Sequence, residues 1–379
     1  MRVCVVVLNS VWYDPRVRKQ IASYMDNGID LSCVGYKCER YDKEKVALIP
    51  CPVTIVENDP RYEGRQRSPI KKLQREIAKD RAITDAIVSY KPDVIHANDL
   101  NTLVPCVKAA KKLKCRVIYD SHEICVENHS MQGLYKMYSA WSEKRYIKKI
   151  DKMVCVSHAA ADYFVARYGI ERPMVVTNCS LKAEQVISEE KNPGFEVLNH
   201  GQFYEGRGYD VMVEAIPLLR DYPEVKLAVR GFGKMEEQLR ARASELSGDN
   251  FVFYPRVLVQ ELISTASRSM VGVAITEAIC LNFELSVSNK LFEYASAGLP
   301  VIMSNIAEHR YLNEKYKFGV IIPENTPEAF AEAVVKLYTD KEFYNECAKN
   351  AKKLSDEVNW ENEFGKLISL EKGLVEGKR

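Results

Sequence analysis

Two basic side chains and one carboxylate are the strongest chemical candidates in this 379-residue chain. Arg207 stands in Asn199-His200-Gly201-Gln202-Phe203-Tyr204-Glu205-Gly206-Arg207-Gly208, a pattern of strand end, loop and helix start. Lys290 stands in Ser288-Asn289-Lys290-Leu291-Phe292-Glu293-Tyr294-Ala295-Ser296-Ala297-Gly298-Leu299-Pro300. A guanidinium grips phosphate in bidentate fashion, and an ammonium in the first turn of a helix adds its charge to free amides. Together they suit a diphosphate. In the second segment Ser288 or Asn289 reads as the cap, Gly298 as the stop, and Pro300 bars continuation. Glu293 follows Lys290 by three residues on the same helix face, placed to accept bonds from ribose hydroxyls. A capping box would need glutamate at 291 or 292, which are Leu291 and Phe292, so the register favours the ligand role. The plainer reading of Arg207 is a solvated residue in a turn whose glycines serve backbone geometry.

Other clusters are weaker signals. Gly231 and Gly233, in Val229-Arg230-Gly231-Phe232-Gly233-Lys234, would let a ligand approach the backbone beside Arg230, but a third glycine of the dinucleotide fingerprint is missing. The loop after Phe251 to Tyr254, ending at Val257, could meet a base through backbone. Earlier, His96-Ala97-Asn98-Asp99 and Tyr119-Asp120-Ser121-His122-Glu123 each follow an apolar run, so both fall at strand carboxyl ends. There His122 can hold or shuttle a proton, or donate a hydrogen bond to a sugar hydroxyl. Asp14 and Arg16 point into the same region, or serve as an N-cap and a solvated first-turn residue.

The elements that must position these groups alternate strand and helix twice. Val3 to Leu8 is apolar at every position, Arg16 to Met25 reads as helix, and Ile29 to Val34 as strand, which indicates a parallel sheet covered on both faces. Ser68-Pro69 opens a helix with Ile70, Leu73, Ile77, Ile83 and Ile87 on its apolar side. Asp93 to His96 and Cys115 to Tyr119 follow as strands, then a long helix to about Lys149, a strand Met153 to Val156 and a helix from His158. The polar stretch Lys182 to Pro193 reads as an interdomain linker. The pattern restarts with strands at 195–198, 225–229, 251–254, 271–275 and 301–303, and three helical segments close the chain. The expected architecture is α/β: residues 1–180 and 194–360 form two doubly wound, Rossmann-like parallel-sheet domains that meet at a cleft.

Composition sets the bounds. With 46% hydrophobic and 28% charged residues there is material for two cores, and 54 Lys+Arg against 52 Asp+Glu gives +2, so no bulk field recruits nucleic acid. Eleven cysteines, several inside apolar runs such as Val3-Cys4-Val5, read as packing residues in a reduced cytoplasmic protein. No C-x-x-C pair, H-E-x-x-H or Asp-x-Asp motif occurs, so no metal is expected. The start of the chain lacks the pattern of a signal peptide, and no apolar stretch approaches the roughly 20 residues that span a bilayer. Two basic stretches, Arg61 to Arg75 and Lys144 to Lys152 after Tyr135, Tyr138 and Trp141, read as solvated helix faces or as peripheral contacts with a membrane or an anionic acceptor.

Across essentially its whole length the chain resembles a retaining glycosyltransferase of the GT-B fold, family 4 (group 1). The resemblance rests on Asp14-Pro15-Arg16-Val17, His96 to Asp99, Tyr119 to Glu123, Arg207-Gly208, Gly231-Phe232-Gly233, and Asn289 to Tyr294 with Ala297-Gly298-Leu299-Pro300. It implies that the second domain binds a UDP- or GDP-sugar without a metal cofactor, through Gly206, Arg207, Arg230, Gly231, Gly233, Val257, Glu284, Ser288, Asn289, Lys290, Leu291 and Glu293. Arg207 and Lys290 would meet the diphosphate and Glu293 the ribose. His122 would touch the donor sugar, with Asp14, Arg16, Asn98, Asp99 and Glu123 on the acceptor side. The final helix, 361–379, would cross back onto the first domain. The expected activity is hexosyl transfer to a glycan, lipid-linked or small-molecule acceptor, in the cytoplasm or at the inner face of the membrane. The first glutamate of the family's pair is due at position 285, which is Leu285; Glu284 or Glu277 could take its role. Gln202 replaces an arginine common in relatives, and Asn9 to Tyr13 lacks the usual glycine pair. Two other readings are a catalytically silent nucleotide-sugar-binding subunit and a sugar-nucleotide epimerase.

Overall fold

The computed structural model describes every residue except 10, 40, 60, 62–68, 183–185, 247–249 and 378–379, and the backbone alone at 69, 70, 72 and 73. The chain forms two compact units, Met1–Val176 with Phe364–Arg379, and Thr177–Glu363.

The first unit holds seven parallel strands: β1 (Arg2–Val6), β2 (Asp30–Tyr36), β3 (Val53–Val56), β4 (Val94–Asn98), β5 (Arg116–Ser121), β6 (Lys152–Cys155) and β7 (Met174–Val175), in the order β3-β2-β1-β4-β5-β6-β7. Val3, Cys4, Val5 and Val6 are at most 1% exposed, as a strand covered on both faces requires. β4 and β5 run further than their apolar residues alone suggest, through Asn98 and Ser121, because Asn98 and Asp120 pair in register. The polar clusters are therefore the strand ends themselves, that of β4 beside β1, where the strand order reverses, and that of β5 one strand further. The helix over Pro15–Asp26 starts where Asp14 caps it and Pro15 fixes the first turn.

Of the helix Pro69–Tyr90, Ile83 and Ile87 are fully buried, but Ile77 is 56% exposed. Six residues before Ile83 is 1.67 turns, which rotates Ile77 off that face. Ser68, its expected opening residue, lies outside the described residues, as do Arg65 and Arg67 of the first basic stretch and the side chain of Lys72. The long helix expected up to Lys149 is broken into short 3-10 turns at Cys125–Glu127 and Ile147–Lys149 around a helix at Gly133–Tyr146.

The second unit holds six parallel strands: β8 (Phe195–Gln202), β9 (Val225–Phe232), β10 (Phe251–Tyr254), β11 (Val271–Ala274), β12 (Val301–Ser304) and β13 (Gly319–Ile322), in the order β10-β9-β8-β11-β12-β13. β13 was not legible in the sequence, because four residues at a sheet edge carry too little pattern. The core packs Val197, Val229, Val271, Val273 and Ile302 against Met212, Phe330 and Val334.

The chain changes unit at Val176, earlier than the polar stretch read as a linker. That stretch is held on the second unit: Ser188 donates its amide to Ser267 (2.8 Å), Asn192 donates to the Arg268 carbonyl (2.7 Å), and Lys191 donates to the Ser267 carbonyl (2.6 Å). Residues 183–185 of it lie outside the described residues. The final helix, Trp360–Glu376, belongs to the second unit up to Glu363 and to the first from Phe364. Its Phe364 meets Tyr24 edge-on (4.9 Å), and Arg116 donates to the Leu374 carbonyl (3.1 Å).

Candidate functional site

In the second unit β8 and the helix Asn289–Ser296 bring Arg207 and Lys290 to one place. Tyr294 sets the helix depth by lying flat on β11, where a Cβ on Gly272 would come within 2.2 Å of its ring, and by accepting the His200 amide at 2.8 Å. Lys290 then donates to Asn199 Oδ1 (2.7 Å), and Asn199 donates through Nδ2 to the Arg207 carbonyl (3.0 Å). One asparagine thus ties the lysine to the arginine's loop. The ammonium also sits 5.0 Å from the Tyr209 ring centre, and the Arg207 guanidinium lies 5.0 Å from that of Phe283.

Among the described residues neither cation forms an ion pair, and the Tyr209 hydroxyl is buried without a partner. Burial and the charge of Arg207 pull Lys290 down to about 7, against the opposing pull of Glu293. Burial likewise lowers Arg207. Two adjacent cations without a counter-ion, at a helix N-terminus, form a preorganised site for an anion.

Glu293 stands on the same face, with its Oε2 2.7 Å from Nε2 of His200, whose ring stacks on Tyr294 at 4.4 Å. Sequence reasoning singled out Glu293 but not its bond to His200, 93 residues away. Ser288 precedes the helix in extended conformation without a side-chain capping bond, and Asn289 is exposed in the first turn. Leu291 offers a ligand little: its side chain is fully buried and its amide donates to the Ser288 carbonyl at 3.1 Å. The apolar side of the helix claims it for the core.

Gly231, near the end of β9, and Gly233, just after it, serve packing rather than an open approach. A Cβ on Gly231, whose φ is +146°, would come 1.8 Å from the Gly201 carbonyl oxygen, and one on Gly233 would come 2.5 Å from that of Phe203. Arg230 is 9% exposed, stacks on Tyr254 (4.6 Å) and donates to the Pro255 carbonyl (3.4 Å), with Nε unpartnered. Val257 lies half-buried in the next loop. Of the two acids weighed for the role missing at Leu285, Glu284 is exposed on the short helix Leu281–Leu285. Glu277 stands at the arginine loop, donating its amide to the Gly206 carbonyl at 3.0 Å. Burial, Asp210 and Glu205 raise its carboxyl.

In the first unit the ends of β4 and β5 build a second polar centre around His122. Asn98 spends its amide group on the Val6 carbonyl (3.2 Å), so Oδ1 is left to accept from His122 Nε2 at 3.0 Å. Asp99, in left-handed backbone at φ 65°, accepts the His122 amide (3.1 Å) and sets Oδ2 3.5 Å from Nδ1. Strain of this kind in a non-glycine residue persists only where its surroundings hold it. Burial alone would lower His122, but Asp99 and Asp120 outweigh it and hold the ring above its ordinary value. The result is a hydrogen-bond donor just past a strand end, its protonated form favoured by the two carboxylates.

Arg16 is neither solvated nor open to a ligand. It is 4% exposed, donates to both oxygens of Asp120 (2.9 Å each) and reaches the Val176 carbonyl (3.1 Å). Asp120, fully buried, also accepts from Gln20 (3.0 Å) and lies 3.1 Å from His96 Nε2. Burial would raise its carboxyl, but Arg16, His122 and His96 hold it well below the carboxylate range. Asp14 is committed to its cap, accepting from the amides of Arg16 (3.0 Å) and Val17 (3.1 Å). Glu123 is exposed and accepts from Asn128 at 2.7 Å. Sequence reasoning placed His96 and Asp120 in the polar clusters without giving them a role and did not name Gln20, since their roles depend on partners far along the chain. Among the described residues no group of three His, Cys, Asp or Glu is arranged to hold a metal, and no helix is long and apolar enough to cross a membrane.

Comparison with known proteins places the chain in a family and a fold. Residues 24–180 match the family model "Glycosyltransferase Family 4" and residues 194–340 match "Glycosyl transferases group 1". The chain is 22% identical over 279 residues to the uncharacterized glycosyltransferase MJ1069 of Methanocaldococcus jannaschii, covering 70% of this chain and 69% of the relative. It is 25% identical over 250 residues to the phosphatidyl-myo-inositol mannosyltransferase of Mycobacterium leprae, covering 65% and 64%. Among solved structures, sucrose-phosphate synthase from Thermosynechococcus elongatus superposes with a TM-score of 0.75 at 14% identity over 100% of both chains. Anabaena HepE in complex with UDP gives 0.75 at 15% identity over 98% of this chain and 100% of that one. With two parallel α/β sheets of the GT-B kind and family matches on both units, the chain belongs to family 4, group 1, of the glycosyltransferases.

Proposed function

We propose that the protein transfers a hexosyl group from a nucleoside diphosphate sugar to an acceptor hydroxyl, with retention at the anomeric carbon and without a metal. The observation that carries this reading is the pair of uncompensated cations, Arg207 and Lys290, held through Asn199 at a helix N-terminus. A diphosphate supplies the missing counter-charge, and the same donors stabilise the charge that builds on it as the glycosidic bond breaks. Glu293, braced by His200, accepts from the ribose; Glu277 takes the hydroxyl-binding role for which position 285 carries leucine. In the first unit, the protonated His122, braced by Asn98 and Asp99, donates to a sugar hydroxyl and orients rather than attacks. HepE in its complex with UDP supports the donor class by its fold alone.

Incubation with UDP- and GDP-sugars tests the proposal by release of the nucleoside diphosphate. Arg207→Ala and Lys290→Ala should each lower release by about 100-fold or more without unfolding the protein. Wild-type rates in both variants would remove the phosphate assignment. Leu285 favours one second reading, a nucleotide-sugar-binding subunit without transfer, which predicts binding and no release.

A further inference from the structure

The helix Gly133–Tyr146 of the first unit packs inside out. It buries Ser139 (7% exposed), Ser142 (4%) and Glu143 (1%), and exposes Leu134 (81%), Tyr135 (60%), Met137 (69%), Tyr138 (42%) and Trp141 (56%). The buried carboxylate is satisfied, accepting from the hydroxyls of Tyr119 (3.0 Å) and Tyr168 (2.5 Å). Single exposed apolar residues need no explanation, but five within eight positions of one helix form a patch. The rings of Tyr138 and Trp141 are adjacent, with centroids 6.1 Å apart.

Toward its carboxyl end the same surface becomes basic. Lys144, Arg145, Lys148 and Lys149 are exposed, and among the described residues none of them forms an ion pair. Arg145 lies over the Trp141 ring (5.7 Å) and Lys149 over that of Tyr146 (4.5 Å), which joins the cationic and aromatic parts. Glu143 is the sole acid between Gly133 and Lys149, and it faces inward. The neighbouring acids Glu76 and Asp80 are paired with Lys79 and Lys108.

We propose that this helix docks the protein on an anionic lipid bilayer. Leu134, Met137 and Trp141 enter the boundary between headgroups and acyl chains, the tyrosines sit at headgroup level, and the four cations meet lipid phosphates. A second copy of the chain fits less well, because a two-fold contact would set this cationic surface against itself. The helix is the next α-helix after β5 and its His122 end, joined to it through residues 122–132, so docking would hold the His122 centre on the side of the bilayer and the hydroxyls it carries. The docking itself rests on the helix surface and not on the donor reading.

Co-sedimentation of the full chain with vesicles of phosphatidylcholine, with and without phosphatidylglycerol, tests it. Binding should need phosphatidylglycerol, weaken with salt, and shift Trp141 emission to the blue, a change lost in Trp141→Phe. Each of K144Q, R145Q, K148Q and K149Q should weaken partition about fivefold. Combined Leu134→Ser and Met137→Ser should abolish it with the melting temperature unchanged. Absence of binding, or binding that these variants leave intact, overturns the proposal. So does self-association in light scattering that the serine variants abolish, which assigns the patch to a second copy. Calorimetric binding of UDP or GDP by the same variants should match wild type, so loss of vesicle binding and failure of the donor reading are separable.

Discussion

Glu371, on the final helix, accepts a hydrogen bond from Tyr24 at 2.5 Å and lies 3.3 Å from Nδ1 of His96, whose other nitrogen is 3.1 Å from Asp120. A fully buried histidine between two carboxylates is stable as the imidazolium. Burial pulls His96 down, but Asp120 and Glu371 lift it to about 9. The same Asp120 faces Arg16 and, at 3.6 Å, His122, so the final helix is linked by direct bonds to the polar centre at the strand ends.

Because the folded value of about 9 exceeds the unfolded value of 6.5, the histidine's contribution to stability is complete below pH 6.5 and is lost as pH rises through 9. Urea unfolding across that window should show stability falling by on the order of 3 kcal/mol at most. Glu371→Gln should flatten the fall, and an unchanged slope in that variant would sink the assignment.

Lys290 has the opposite sign. Its folded value of about 7, below the usual 10.5, means that the native state binds fewer protons than the unfolded chain between those limits, so this group favours folding more as pH rises. A diphosphate restores the ammonium, so nucleotide binding near pH 8 should take up close to one proton, read by calorimetry in buffers of different ionisation enthalpy. Lys290→Met should raise the melting temperature at pH 6 while weakening nucleotide binding. Equal binding of UDP or GDP by wild type and Lys290→Met would contradict the counter-charge account.

The two acids beside position 285 should behave differently. Glu277→Gln, at the arginine loop, should lower sugar-nucleotide turnover by about 10-fold or more, as losing a bond to a substrate hydroxyl does. Glu284→Gln, on an exposed helix, should change it less than about twofold. Equal effects in kinetic assays would withdraw the distinction.

Gly231→Ala tests the packing role of the glycine near the end of β9. The new methyl would overlap the Gly201 carbonyl oxygen at 1.8 Å in backbone that side chains rarely adopt. A loss of about 3 kcal/mol or more is expected in denaturant titration, since neither strand end can yield without breaking the β8 and β9 ladder. Tolerance of alanine with full stability would restore the reading of Gly231 as an open approach for a ligand.

Much of this molecule was legible as pattern. Apolar runs such as Val3 to Val6, with helices between them, announce covered parallel strands, and Ser288 to Pro300 carries its cation, carboxylate and stop within thirteen residues. Such signals are local: they follow from helix and strand period and from the chemistry of helix ends. The pairings were not legible. Arg16 meets Asp120 across 104 residues and His96 meets Glu371 across 275, and nothing in either neighbourhood tells a buried clamp from a solvated first-turn residue. The helix Gly133–Tyr146 makes the same point from outside. Its sequence lists apolar and basic residues, but only packing, which gave the inner side to Ser139, Ser142 and the tyrosine-bound Glu143, turned Leu134, Met137 and Trp141 outward. By itself the sequence determined the elements and the residue types at their ends; the tertiary structure decided which charges are paired and buried and which remain without a counter-ion, because those energies depend on distance and burial rather than on position along the chain.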